Sequence, residues 1–288
     1  MGLGVNMNVS QLLDDYLEHV KMYRSKGTYL WYKKTYKQLL CVLDELGYRD
    51  IKDVDKKIFD RIVAYYHQYT NKKNSKINDV ISSLVTALKF ADVDIPKHYK
   101  LKDDTISFTC LQTQDLKRMI NYCKGLNLKE SNNLYWVLAI YLFIETGVRL
   151  SELLDIRKNN IDTELKMIRL LHTKNGYQRI VFYGDMSQTI IKKVMRKTHD
   201  YIFEHINQRS LEYFFKKMNR DLQLDERISP HRLRKTFATS MLRHGCPVTT
   251  ISKLLGHRDI RQTMIYLDID QLQLMNDYQA FYPYKKED

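Results

Sequence analysis

The residues best equipped for chemistry lie between Ser229 and Tyr266, SPHRLRKTFATSMLRHGCPVTTISKLLGHRDIRQTMIY. Ser229 can cap a helix, with Pro230 at its first position, where a missing N–H costs nothing. His231 and Arg234 then stand three apart, a spacing that places them on one helix face. Two cations beside a helix N-terminus are unfavourable unless an anion docks there, and such a terminus is a ready phosphate site. Gly256 ends TTISKLLG as a glycine past a helix does, and His257 follows in the turn. Asp259 can cap the next helix, with Gln262 as the second member of a capping box, and Tyr266 lies two turns in. Taken singly, each residue has an ordinary use as a cap, as core or as a wet face. Taken together, a phenol, a permanent guanidinium cation and two imidazoles suit attack on a phosphodiester: a nucleophile, charge stabilisation at phosphorus and a titratable base.

A second group lies upstream. Arg149 stands in ETGVRLSELLDI, after the turn Thr146-Gly147 and at the start of another helix. Between the two groups, Met167–Thr173 and Gln178–Tyr183 read as strands. They are joined through Asn175-Gly176, the favoured pair for a tight type I′ hairpin turn. Lys174 immediately precedes that turn, and as a lone lysine it is a solubility charge.

The order HRLR…LGHRDIRQTMIY, with ETGVRLSE before it, resembles the catalytic boxes of the tyrosine recombinases, the family of phage integrases and Xer-type proteins. The resemblance is clear from about residue 110 to 270 and only an outline over the first hundred residues. It implies a helical N-terminal DNA-clamp domain followed by a catalytic domain. It implies that Lys174 protonates the leaving 5′ oxygen, with Arg179 the runner-up, and that Glu152 is structural support. One departure is Lys235, where the family often has histidine; it is expected to be harmless.

On this reading Arg149, Lys174, His231, Arg234, His257 and Tyr266 form the catalytic set. The Tyr266 phenol attacks phosphorus, and Arg149 and Arg234 clamp the non-bridging oxygens with planar forks. His257 donates one more hydrogen bond, and His231, titrating near neutrality, takes the phenol proton or returns it. The product is a 3′-phosphotyrosyl link that a second 5′ hydroxyl can reverse, which is strand exchange by way of a Holliday junction. Cofactors are expected to be none: no Asp/Glu cluster with metal-ligand spacing accompanies the set, and no glycine-rich phosphate loop is present. Two alternatives stay open. A type IB topoisomerase uses the same chemistry to relax supercoils, and a non-catalytic DNA-binding relative would keep only the fold.

Positioning these residues calls for two domains, for which 288 residues suffice. The expected fold class is mainly α with a small β-hairpin or sheet, α+β overall. Residues 1–8 read as a flexible start. Residues 9–95 carry four helical patterns suited to a small core-binding bundle. Residues 96–104 read as a linker and 105–288 as the catalytic domain, in which Thr105–Thr109 reads as a short strand. The tail, 267–288, repeats apolar residues as Ile269, Leu272, Met275, Tyr278 and Phe281, an amphipathic helix that either packs back on its own domain or docks on a neighbouring protomer.

The charge balance fits a DNA partner. Net charge is +13, which favours an anion. Residues 1–105 hold 18 Lys/Arg against 14 Asp/Glu, and the remainder holds 29 against 20, so the catalytic region is the more basic. In the bundle, Lys33, Lys34 and Lys37 mix with Tyr29, Trp31, Tyr32 and Tyr36, and Lys72, Lys73 and Lys76 follow Tyr65 and Tyr69. These six lysines are the expected phosphate contacts on double-stranded DNA. The resemblance adds a homo-tetramer on paired sites. The lack of a separate arm-binding domain before the bundle suggests a simple recombinase or one that depends on an accessory DNA-bending protein. No signal peptide opens the chain, no apolar run is long enough to span a membrane, and the four cysteines form no C-x-x-C pair. The expected location is cytoplasmic, nucleoid-associated if the source is bacterial.

Overall fold

The computed structural model describes residues 7–102, 110–130, 132–171, 178–224, 227–257 and 259–264. The chain divides into two compact units, residues 1–107 and 108–288. The first holds α1 (Val9–Tyr23), α2 (Lys26–Glu45), α3 (Ile58–Tyr69) and α4 (Asn74–Phe90). Asn8 starts α1 by accepting the Gln11 N–H at 2.7 Å, and Ser25 starts α2 by accepting that of Thr28 at 3.2 Å. α2 ends where Gly47 adopts φ +80° and the Tyr48 N–H turns back to the Leu43 carbonyl at 2.8 Å. The apolar positions spaced three and four apart, such as Leu12, Tyr16, Leu39, Leu43, Ile58, Ile62, Ile77 and Leu84, close into one core.

Two margins of this unit are tied down. Met7 and Asn8 are held rather than loose: the Ile51 N–H donates to Met7 at 3.1 Å, and the Val9 N–H donates to Arg49 at 2.8 Å. Leu101 is pinned to α4 by Asn78, whose amide donates to its carbonyl at 2.9 Å and accepts its N–H at 3.0 Å.

The second unit begins with α5 (Thr113–Gly125) and α6 (Asn133–Thr146). α6 is apolar nearly all round, and Leu138, Ile140, Leu142 and Phe143 are fully buried. It is the spine on which the unit is built. After α7 (Leu150–Leu154) comes a three-stranded antiparallel sheet in the order β1 (Ile161–Asp162), β2 (Met167–Leu170), β3 (Arg179–Phe182). Its register pairs Met167 with Phe182 and Leu170 with Arg179. β1 is too short to show alternation, so the sequence pattern does not announce it. α8 (Asp185–Met195) and α9 (Gln208–Leu222) follow. Asn207 starts α9 by accepting the Ser210 N–H at 3.0 Å. α10 (Pro230–Arg243) packs on α6, and α11 (Val248–Leu255) packs on α10 through Phe237, Ala238, Ile251 and Leu255. α12 (Arg261–Met264) follows.

The fold is mainly α with a small antiparallel sheet, as expected. No helix among the described residues is long and apolar enough to cross a membrane. The expected strand Thr105–Thr109, the hairpin tip with Lys174, and Tyr266 with the tail 267–288 lie outside the described residues.

Candidate active site

The first box is shaped by the end of α6. Thr146 bonds back to the Leu142 carbonyl at 2.6 Å, and Gly147 terminates the helix with φ +62°. A Cβ at Gly147 would stand 2.5 Å from Phe237 and 2.9 Å from Leu255. Glycine is therefore required both for the left-handed turn and for the close approach of α10 and α11. Two residues on, Arg149 precedes α7. Its N–H donates to Glu152 Oε2 at 2.8 Å and its guanidinium to Glu152 Oε1 at 2.7 Å.

The second box meets the first at the C-terminus of α11. The last carbonyls of a helix lack partners within it and form its negative end. Here three consecutive carbonyls each receive a guanidinium. Arg179 Nε donates to Leu254 at 2.8 Å, Arg234 Nη2 to Leu255 at 2.5 Å, and Arg149 Nη2 to Gly256 at 3.4 Å. Arg234 also donates to the Gly147 carbonyl at 2.6 Å, joining the two boxes directly.

Glu152 is the carboxylate shared by this cluster. Its side chain has no exposed surface, and Arg179 grips both of its oxygens at 2.7 Å. Burial opposes ionisation, but the bonds and charge of Arg179, then those of Arg149, outweigh it and hold the carboxyl down at about 2.

His257 follows Gly256, which closes α11 at φ +66° and leaves Arg179 atoms 3.0 Å from where a Cβ would sit. Its Nδ1 lies 2.7 Å from Thr263 Oγ1. Burial first, then Arg234, Arg149 and Arg179, push the imidazole down to about 4, so it is neutral at neutral pH. His231 lies exposed in the first turn of α10, as the Ser229 cap and Pro230 expect. Partial desolvation of its ring by the surrounding protein, then the charges of Lys235 and Arg234, lower its pKa.

The structure amends three readings. Residues three apart on a helix are offset by about 60°, enough here to bury Arg234 at 4% exposure while His231 faces out. Asp259 does not form the capping box. It accepts the Arg261 N–H two residues on, at 2.9 Å, and pairs with that residue's guanidinium at 2.8 Å. Arg179, the runner-up acid, is 7% exposed and engaged on both faces of its fork, so it is built into the framework. Lys174 and Tyr266 are outside the described residues. Sequence reasoning missed the reach of Arg179 to Glu152, for which a separation of 27 positions leaves no periodic signal, and it missed Thr263.

In the first unit, Lys34, Lys37 and Lys72 line a cavity of about 470 Å³ with Gln38, Tyr65 and Tyr66. Lys34, Lys72 and Lys76 line a smaller one of about 210 Å³ beside Trp31. Lys34, Gln38 and Lys72 line both, and Lys72 donates to Gln38 at 3.1 Å while its ammonium sits 4.2 Å from the Tyr66 ring centre. Lys33 lies over the Tyr29 ring instead, and Lys73 precedes α4. Lys76 pairs with Asp79 at 2.9 Å.

A fold of this kind, with guanidinium groups gathered at one helix end beside a neutral histidine, defines a class that comparison with known proteins identifies. The model of the phage integrase family matches residues 109–272. A probable integrase/recombinase of Acholeplasma phage L2 is 26% identical over 96% of this chain and 98% of its own length. Tyrosine recombinase XerA of Saccharolobus solfataricus is 37% identical over 57% of this chain, a stretch that spans 53% of XerA. Among solved structures, the Tn1549 transposon integrase in complex with a circular intermediate DNA has the same fold at a TM-score of 0.77, with 17% identity over 95% of this chain and 99% of that one. A lambda integrase dimer bound to a core site superposes at 0.69, with 15% identity over 89% of this chain and 97% of that one. The chain belongs to the phage integrase family, the tyrosine recombinases, enzymes that cleave and rejoin DNA.

Proposed function

We propose that the protein is a site-specific recombinase that exchanges double-stranded DNA through a 3′-phosphotyrosyl intermediate and a Holliday junction, with neither metal nor nucleotide cofactor. The observation that carries this reading is the cluster at the end of α11. Arg149, Arg179 and Arg234 converge there, and Glu152 is the carboxylate bound to the first two. Guanidinium forks gathered at one helix end suit an anion such as a phosphodiester. In the proposed sequence the Tyr266 oxygen attacks phosphorus and its proton passes to His231. Arg149, Arg234 and neutral His257 stabilise the charge on the non-bridging oxygens. The bond from phosphorus to the 5′ oxygen breaks, and Lys174 supplies the proton that this oxygen takes up. Reversal with a 5′ hydroxyl from another strand completes the exchange.

The lysines Lys33, Lys34, Lys37, Lys72, Lys73 and Lys76 are proposed to contact backbone phosphates. Solved relatives of this fold are described in complex with DNA, which supports DNA as the partner. A tetramer on paired sites, with the tail 267–288 docking between protomers, follows from the same reading, as does action in the cytoplasm on nucleoid or mobile-element DNA. Whether an accessory DNA-bending protein takes part is read from assays with and without one.

The test is a covalent-trapping gel with a nicked site, run with excess chelator. The wild type is expected to give a denaturant-resistant protein–DNA adduct, and Tyr266→Phe to bind DNA without one. Adduct formation by Tyr266→Phe removes Tyr266 as nucleophile. A two-site assay then separates recombination from relaxation of supercoils.

A further inference from the structure

We infer that Arg179 is a positioning residue for cleavage, a buried post that fixes Glu152 and through it the guanidinium of Arg149. The inference rests on the proposed role of Arg149 as a phosphate clamp.

The geometry runs as a chain of bonds. Arg179 lies at the start of β3 and is held at three points: Leu254 O at 2.8 Å and the two Glu152 oxygens at 2.7 Å each. Glu152 passes this fixity to Arg149 at two points, the backbone N–H at 2.8 Å and the guanidinium at 2.7 Å. Arg149 itself keeps 21% of its side chain exposed, whereas Arg179 keeps 7% and Glu152 none. The accessible guanidinium is thus aimed by two groups that solvent does not reach. A bidentate fork fixes direction as well as distance, which a lysine at position 179 cannot do. Gly256 belongs to the same device. Arg179 Cδ and Nη1 lie 3.0 Å from where its Cβ would be, so the post fills the space that the glycine leaves. The third point of attachment, at the Leu254 carbonyl, keeps the Arg179 fork itself from turning away from Glu152. Misplacement of a clamp by about 1 Å can cost on the order of a hundredfold in rate.

The test compares single-turnover cleavage by the wild type, Arg149→Ala, Arg179→Lys and the double variant. A suicide DNA substrate is used in two forms, one with a normal scissile phosphate and one with a neutral methylphosphonate there. The rate constant reports folded molecules and the amplitude reports how many are folded, so partial unfolding does not hide the result. Glu152→Asp serves as a second variant: it keeps the charge but shortens the reach between the two arginines. Arg179→Lys and Glu152→Asp are expected to cleave the normal substrate roughly tenfold to a hundredfold more slowly. The double variant should be no slower than Arg149→Ala. On the neutral substrate, where no oxygen charge needs a clamp, the deficits of Arg149→Ala, Arg179→Lys and Glu152→Asp should shrink together. Deficits that multiply in the double variant, or that persist on the neutral substrate for position 179 but not for 149, overturn the inference. Failure of the clamp reading itself looks different: Arg149→Ala would then keep its deficit on the neutral substrate.

Discussion

His257 Nδ1 stands 2.7 Å from Thr263 Oγ1, on an imidazole that burial and three guanidinium groups keep neutral. A neutral ring has one donor nitrogen. For Nε2–H to reach a phosphate oxygen, Nδ1 must accept from the threonine hydroxyl. Thr263→Val is expected to release that tautomer and slow cleavage by about tenfold, of the order of one lost donor or less. Thr263→Ser should restore the rate. Nitrogen NMR of labelled histidine reads the tautomer directly, and an unchanged tautomer in the valine variant would remove Thr263 from the site.

Glu152→Gln is expected to cost about 3–5 kcal/mol of stability, because it leaves buried guanidinium charge without its counter-ion. Urea unfolding at neutral pH measures this. A loss near zero would mean that Arg179 finds another acceptor.

Stability should fall with pH in two windows. The His257 pKa drops from 6.5 to about 4 on folding, so the unfolded chain takes up its proton first. Its contribution is whole above 6.5 and is lost as pH falls toward 4. Glu152 drops from 4.5 to about 2, so its contribution is whole above 4.5 and is lost toward 2. His231 is lowered too and acts in the first window. In denaturation curves taken from pH 7 to 3, His257→Asn should flatten part of the upper slope and spare the lower one. An unchanged upper slope in that variant contradicts the assignment.

Gly147→Ala should destabilise the second unit by about 1–3 kcal/mol or more, since it combines a left-handed φ with overpacking against Phe237. Thermal unfolding is the measurement. A variant as stable as the wild type would show that α10 and α11 can yield there.

Lys34→Gln and Lys72→Gln should each lower the slope of log affinity against log salt by about 0.9, the value for one phosphate contact. A titration at several salt concentrations decides it lysine by lysine, and an unaltered slope places that residue off the DNA.

What could be read from the sequence was whatever repeats or caps locally. Leu12, Leu39, Ile62 and Leu84 announced their helices through periodicity, and Ser229-Pro230 and Gly256 announced helix ends through backbone chemistry. The residues Arg149, Arg234 and His257 were legible as types in a spaced order. Their partners were not. The grip of Arg179 on Glu152, the anchoring of Arg234 on Gly147, and the burial that neutralises His257 all depend on chain segments meeting across long separations. No local period encodes such meetings. Local spacing also misjudged direction: the offset within His231-x-x-Arg234 turns one residue to solvent and the other to the core.

The bond from Arg234 to Gly147 spans 87 residues, and its companion at Leu255 spans 21 more in the opposite direction. Contacts of such separation form late, after the intervening chain has been brought to order. Arg234 reaches its two carbonyl partners only once α6, α10 and α11 have met. The arrangement of these guanidinium groups is thus a property of the completed fold and not of any one segment of the second unit.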